Sequence, residues 1–153
     1  MSETKFEVDK DNLEVRITRV FKATPERLWR AYTEPDQIVL WWDGTRIDTY
    51  ELKVGGAWRF VSTGQDGKEH AFRGEFTEID EPHKLGRTFE YEQYAGNIMT
   101  ETVVLEPQED GTTKVLTTSK YQNIASLEGM VGMGMEHGAA VGLDRLAKVV
   151  ESD

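Results

Sequence analysis

The sequence predicts an α+β fold: an antiparallel strand meander with two brief helices near its start and one long helix at its end. Three observations predict it. Residues 21–42 hold two short apolar stripes, each opened by a proline, and close on the paired indoles Trp41 and Trp42. Residues 45–121 alternate apolar and polar side chains between Gly, Asp and Pro turns, with no helical stretch among them. From about Gly132 to Val150, Met135, Ala139, Leu143, Leu146 and Val150 recur at helical spacing.

The elements follow in order. A polar arm of residues 1–12 precedes a half-buried first strand, in which Leu13, Val15 and Ile17 alternate with Glu14, Arg16 and Thr18. Thr24-Pro25 opens the first short helix, since Thr caps exposed N–H groups and Pro suits the first helical position. Glu34-Pro35 opens the second. Leu28, Ala31 and Tyr32 share one face, and Ile38, Trp41 and Trp42 share another, which suits a lid over something apolar. Six strands follow: Arg46–Lys53, Ala57–Ser62, Glu69–Ile79, Lys84–Glu92, Ile98–Glu106 and Thr112–Tyr121. The clearest turn among them is Gln65-Asp66-Gly67-Lys68, because Asp-Gly tolerates positive φ. Strands joined directly by such turns pair antiparallel. The last helix is expected to cover the drier face of the sheet, with Asp144 and Lys148 as an i,i+4 pair on its outer side.

At 153 residues the chain suits a single domain, 1–153, with a core of its own. It has no cysteine, which excludes disulfides, thiolate metal sites and cysteine nucleophiles. Lys+Arg number 18 against 28 Asp+Glu, a formal net charge of -10, and this opposes a phosphate backbone. No nucleic-acid partner is expected. With a polar N-terminus and no long apolar stretch, neither a signal peptide nor a membrane span is expected, and the protein is expected to be cytoplasmic.

The element order resembles the helix-grip fold of the START/Bet v 1-like (SRPBCC) superfamily, and within it the Activator of Hsp90 ATPase homologue 1-like family. Three stretches carry the resemblance: TPERLWRAYTEPDQIVLWW at 24–42, RGEFTEIDEPHKLGRTFEY at 73–91, and GMEHGAAVGLDRLAKVV at 134–150. It implies a curved antiparallel sheet of about seven strands wrapped around the C-terminal helix, with the two short helices between strands one and two. It also implies a cavity between sheet and helix. Two positions depart from the family pattern. Asp43-Gly44 follows Trp42 where relatives commonly have Gly-Pro, and Ala139 follows Gly138 where relatives commonly have Trp. Loss of that indole opens space if the position faces the cavity.

Under this resemblance the lining candidates are Trp41, Trp42, Trp58, Phe60, Phe72, Phe89, Tyr91, Met99, Tyr121, Met133 and Met135, a set that would equally suit a plain core. Gly134, Gly138 and Gly142 stand four apart on one helical face at roughly 0.8–1 kcal/mol each relative to Ala. Close packing on the sheet is the first reading of that stripe, a loosened gate at the cavity the second, and a homodimer contact the third. Mid-strand Glu90 and Glu101, with Arg59, Arg73 and Arg87, read first as facing solvent on the outer sheet surface; if the carboxylates turn inward they need partners, and these arginines are available. Glu101, in phase with Met99 and Val103, is then the best polar anchor and the best candidate base, with His70 second. His70, His83 and His137 form no metal-ligand spacing, so no metal is expected, and no cofactor either.

The expected function is binding of a small apolar or aromatic ligand without turnover. The alternatives are a cyclase- or hydrolase-type enzyme in the same cavity and a partner-binding, co-chaperone-like module. Chaperone contact is not expected, because only about a dozen residues precede the first strand, whereas the chaperone activators in this family carry a separate N-terminal domain.

Overall fold

In the computed structural model, residues 4–42, 44–64 and 66–151 are described. Asp43, within one departure from the family pattern, and Gln65, at the head of the Asp-Gly turn, lie outside them. Eight strands form one antiparallel sheet. They are β1 (Lys5–Asp9), β2 (Glu14–Phe21), β3 (Thr45–Tyr50), β4 (Ala57–Thr63), β5 (Glu69–Asp80), β6 (Lys84–Tyr91), β7 (Met99–Pro107) and β8 (Thr113–Lys120). Their order is β1-β2-β8-β7-β6-β5-β4-β3, so the meander from β3 to β8 is extended by the N-terminal hairpin. Register shifts at Ile47/Thr49 and Phe76/Glu78 mark bulges, which bend a sheet.

The helices are α1 (Pro25–Thr33), α2 (Pro35–Trp41), α3 (Ile124–Gly132) and α4 (Met135–Val150). The Thr24 hydroxyl accepts from the Arg27 N–H, and Pro25 stands in the first turn of α1. Among the described residues no helix is long and apolar enough to cross a membrane.

Two expectations are corrected here. The polar arm contains an edge strand: Phe6 pairs with Ile17 and Val8 with Val15, while Lys5, Glu7 and Asp9 supply the charges typical of an edge. The long helix begins at Met135 rather than near Gly132, and a separate α3 precedes it. Asn123 caps α3 by accepting from Ser126 N–H, and Gly134, at φ 87°, breaks the path between the two helices.

The core lies between the inner sheet face and the helices. Leu28 and Leu146 are fully buried, as are Phe21 and Phe76. Arg19 on β2 reaches Asp144 on α4 at 2.5 Å, and just past β2 the Lys22 N–H donates to Glu151, which caps the end of α4.

Candidate functional site

Strand register builds the inner face. Leu85, Arg87, Phe89 and Tyr91 alternate along β6, and β7 sets Glu101 opposite Arg87 and Met99 opposite Phe89. On the other side Phe72 lies between Phe60 and Tyr91. A cationic and an anionic side chain therefore meet across two strands within an aromatic surface.

The guanidinium of Arg87 donates to Glu101 Oε1 through Nε and Nη2, each at 2.9 Å. Its carbon sits 4.6 Å above the Trp58 ring and 5.8 Å from those of Trp42 and Phe89. The two side chains are only 11% and 16% exposed, so little water screens them. Glu101 thus turns inward as its strand phase suggests, with its charge taken by Arg87.

Around this pair stands a wall of rings. Trp42 meets Phe60 edge-on at 5.0 Å, Phe72 at 5.8 Å and Phe89 at 6.3 Å, and Tyr91 stacks on Phe72 at 5.2 Å. Trp58 and Phe60 are buried and form its base, whereas Trp42, Phe72, Phe89 and Tyr91 are half-buried. Trp41 is pinned: its indole N–H donates to Ala31 O at 2.9 Å and its ring packs on Tyr32. Met99 and Tyr121 are buried, and the Tyr121 hydroxyl donates to Met135 Sδ at 3.4 Å. Met133 ends α3 and is 60% exposed, so it faces solvent rather than an enclosed wall.

The glycine stripe does not pack closely on the sheet, which corrects the first expectation. A Cβ at Gly134, Gly138 or Gly142 would meet no atom within 4 Å. The helical spacing was real, but nothing stands opposite it. α2, which ends at Trp41, packs against α4, so the open stripe belongs to the same helix that the lid touches. Ala139, at the position of the family's indole, is half-buried against the core.

Burial pushes the Tyr50 and Tyr121 hydroxyls up to about 12, and the Glu101 carboxylate adds to the effect at Tyr121. Tyr32 is raised further, again by burial and then by Glu101. Tyr50 donates to Thr33 O, which requires the protonated phenol. Because the native phenols keep protons that the unfolded chain releases, stability is expected to fall as pH rises from about 10 toward 12. Urea midpoints compared at about pH 9 and about pH 11 check this; an unchanged midpoint would refute it.

On the outer face Arg59 bridges Glu92 at 2.7 Å and Asp48 at 3.1 Å, and Arg73 pairs with Glu90 at 2.9 Å. The Gly96 N–H, then Arg73, hold the Glu90 carboxyl below its usual range. Glu90 and Glu101, alike in sequence, thus serve opposite faces.

His70 lies at the rim, its Nδ1 2.5 Å from the Tyr91 hydroxyl and its Nε2 3.7 Å from Asp66 Oδ1. His83 and His137 are exposed. Among the described residues no group of three His, Asp or Glu could hold a metal ion. Two surface hollows, about 370 Å³ beside Asp9 and Arg16 and about 510 Å³ beside Trp29 and Pro82, gather none of the candidate residues. Sequence reasoning missed Tyr32 and Tyr50, whose ring contacts extend the wall, although Tyr32 shares the lid stripe with Leu28.

Residues 22–151 match the family model described as Activator of Hsp90 ATPase homolog 1-like protein. The chain belongs to that family. Among solved structures, the chain is similar to a protein from Arthrobacter aurescens at 26% identity and TM-score 0.88, covering 97% of this chain and 92% of that one. Protein Ms6760 from Mycobacterium smegmatis, at 24% identity, TM-score 0.87 and 98% and 97% coverage, shares the fold. An HSP90 activator from Plasmodium falciparum is similar at 27% identity and TM-score 0.59, over 71% of this chain and 72% of its own. No curated protein matches the chain.

Proposed function

We propose that this protein binds a small apolar or aromatic ligand between the aromatic wall and α4, without turning it over. The carrying observation is that Trp42, Phe72, Phe89 and Tyr91 stand half-buried side by side while Gly138 and Gly142 leave α4 open. Half-buried aromatic surface suits an apolar occupant, and a few polar groups then orient it. Arg87 and Glu101 supply such groups. Their mutual pairing argues against the enzyme reading, since Arg87 already occupies the carboxylate oxygen that a catalytic base would turn to substrate.

Native mass spectrometry of the freshly purified protein, followed by an apolar panel read through Trp fluorescence, tests the proposal. A co-purifying small molecule or saturable quenching of Trp42 is the expected result. Absence of both overturns it.

The likeness to a protein described as an HSP90 activator favours a second reading, contact with a chaperone. A pull-down with Hsp90 separates the two: retention of the chaperone supports contact, and none is expected if the domain acts only as a binder.

A further inference from the structure

Three side chains outside the Arg87–Glu101 pair meet at the rim of the wall. Tyr91 stacks on Phe72, and its hydroxyl shares a 2.5 Å hydrogen bond with His70 Nδ1. On the far side of the imidazole, Nε2 faces Asp66 Oδ1 at 3.7 Å, and Asp66 is held in place by the Lys68 N–H at 2.9 Å. Gly64 leaves room for both: a Cβ there would stand 2.9 Å from Asp66 Oδ1 and 3.1 Å from His70 Nε2. Strand β4 opposes His70 with the neutral Ser62, whose hydroxyl is engaged by Thr45. Next to His70, Glu69 is paired with Arg46 at 2.6 Å. Among the described residues, Asp66 and Tyr91 are therefore the titratable groups in contact with the ring.

The direction of the Tyr91 hydrogen bond follows from the charge on His70. A neutral imidazole has one N–H, and the adjacent Asp66 carboxylate favours that proton on Nε2. Nδ1 is then an acceptor, so the Tyr91 O–H donates to it, and the phenol oxygen presents lone pairs to anything beside it. With a second proton on His70, both ring nitrogens donate. Tyr91 must then accept, and its own O–H is released.

We propose, on the ligand-binding reading above, that Tyr91 reads the polar end of the ligand and that His70 sets its polarity. At neutral pH the site takes a planar aromatic molecule ending in a hydrogen-bond donor, such as a phenol or aromatic alcohol. Acidification turns its preference toward an acceptor such as an aryl ketone. Tyr91 stacks on Phe72, which in turn meets Trp42, so that oxygen stands at the end of this row of rings.

The test uses two probes of matched shape, naphthol and methyl naphthyl ketone, titrated by Trp fluorescence at about pH 5 and about pH 8. The naphthol-to-ketone affinity ratio is expected to fall roughly three- to tenfold on acidification, the effect of exchanging one hydrogen bond. Tyr91→Phe and, independently, His70→Gln should each abolish the change in ratio. A ratio equal at both pH values, or one that still changes in Tyr91→Phe, overturns the inference while leaving ligand binding intact. Saturable binding of neither probe overturns both readings together.

Discussion

Replacing Arg87 by Met is expected to lower stability by about 3–5 kcal/mol, or roughly 6–20 °C in melting midpoint for a chain of this size. The cause is what remains behind. Glu101 is 16% exposed and its neighbours include the buried Tyr32 and Tyr121, so removing Arg87 leaves its carboxylate without the cation that it is paired with. Met keeps most of the aliphatic volume beneath Trp58, which isolates the charge from the packing. The double variant Arg87→Met/Glu101→Leu should recover most of the loss, because an apolar pair of similar volume replaces a buried ion pair at little cost. Denaturant unfolding of the wild type, both single variants and the double variant makes the cycle. A double variant no more stable than Arg87→Met would refute this account of the pair.

Gly74→Ala is expected to cost about 3 kcal/mol, lowering the midpoint by roughly 6–12 °C. Gly74 lies directly opposite Trp58 in the β4–β5 register. A Cβ would come within 2.0 Å of Thr88 O and 2.7 Å of Trp58 Nε1. The first contact is with backbone of the neighbouring strand, so relief requires parting β5 from β6 or pushing Trp58 out of the base of the wall. Gly138→Ala makes the contrast. With no atom within 4 Å and a helical backbone, it should stabilise α4 by up to about 1 kcal/mol. Thermal melts of both variants read the difference, and equal destabilisation by both would refute the assigned packing.

Much of this arrangement was legible in the residues. Glu101 sits two from Met99 and two from Val103, so strand period suggested its inward turn, while Arg87 stood only as one of three available partners. The proline-opened lid and the Leu143, Leu146 and Val150 face of α4 were equally plain, since caps and helical spacing are local properties. The edge strand β1 was hidden by its own composition. Its alternating charges protect an unpaired edge and read as a solvated arm. Helix α3 was hidden because Gly129 and Gly132 weaken its helical signal, while its ties are to distant segments, such as Ser126 with Asn97 and the burial of Leu127 in the core.

The sequence by itself determined the fold class and the family, because periodicity, capping and turn chemistry act between residues a few positions apart. Only the tertiary structure decided what the side chains meet. Periodicity could not tell that Arg87 neutralises Glu101, that the glycines of α4 border open space, or that His70 finds Tyr91 across a strand pair. Those relations depend on register and on how α4 lies over the sheet, and both are set by packing between segments far apart in the chain.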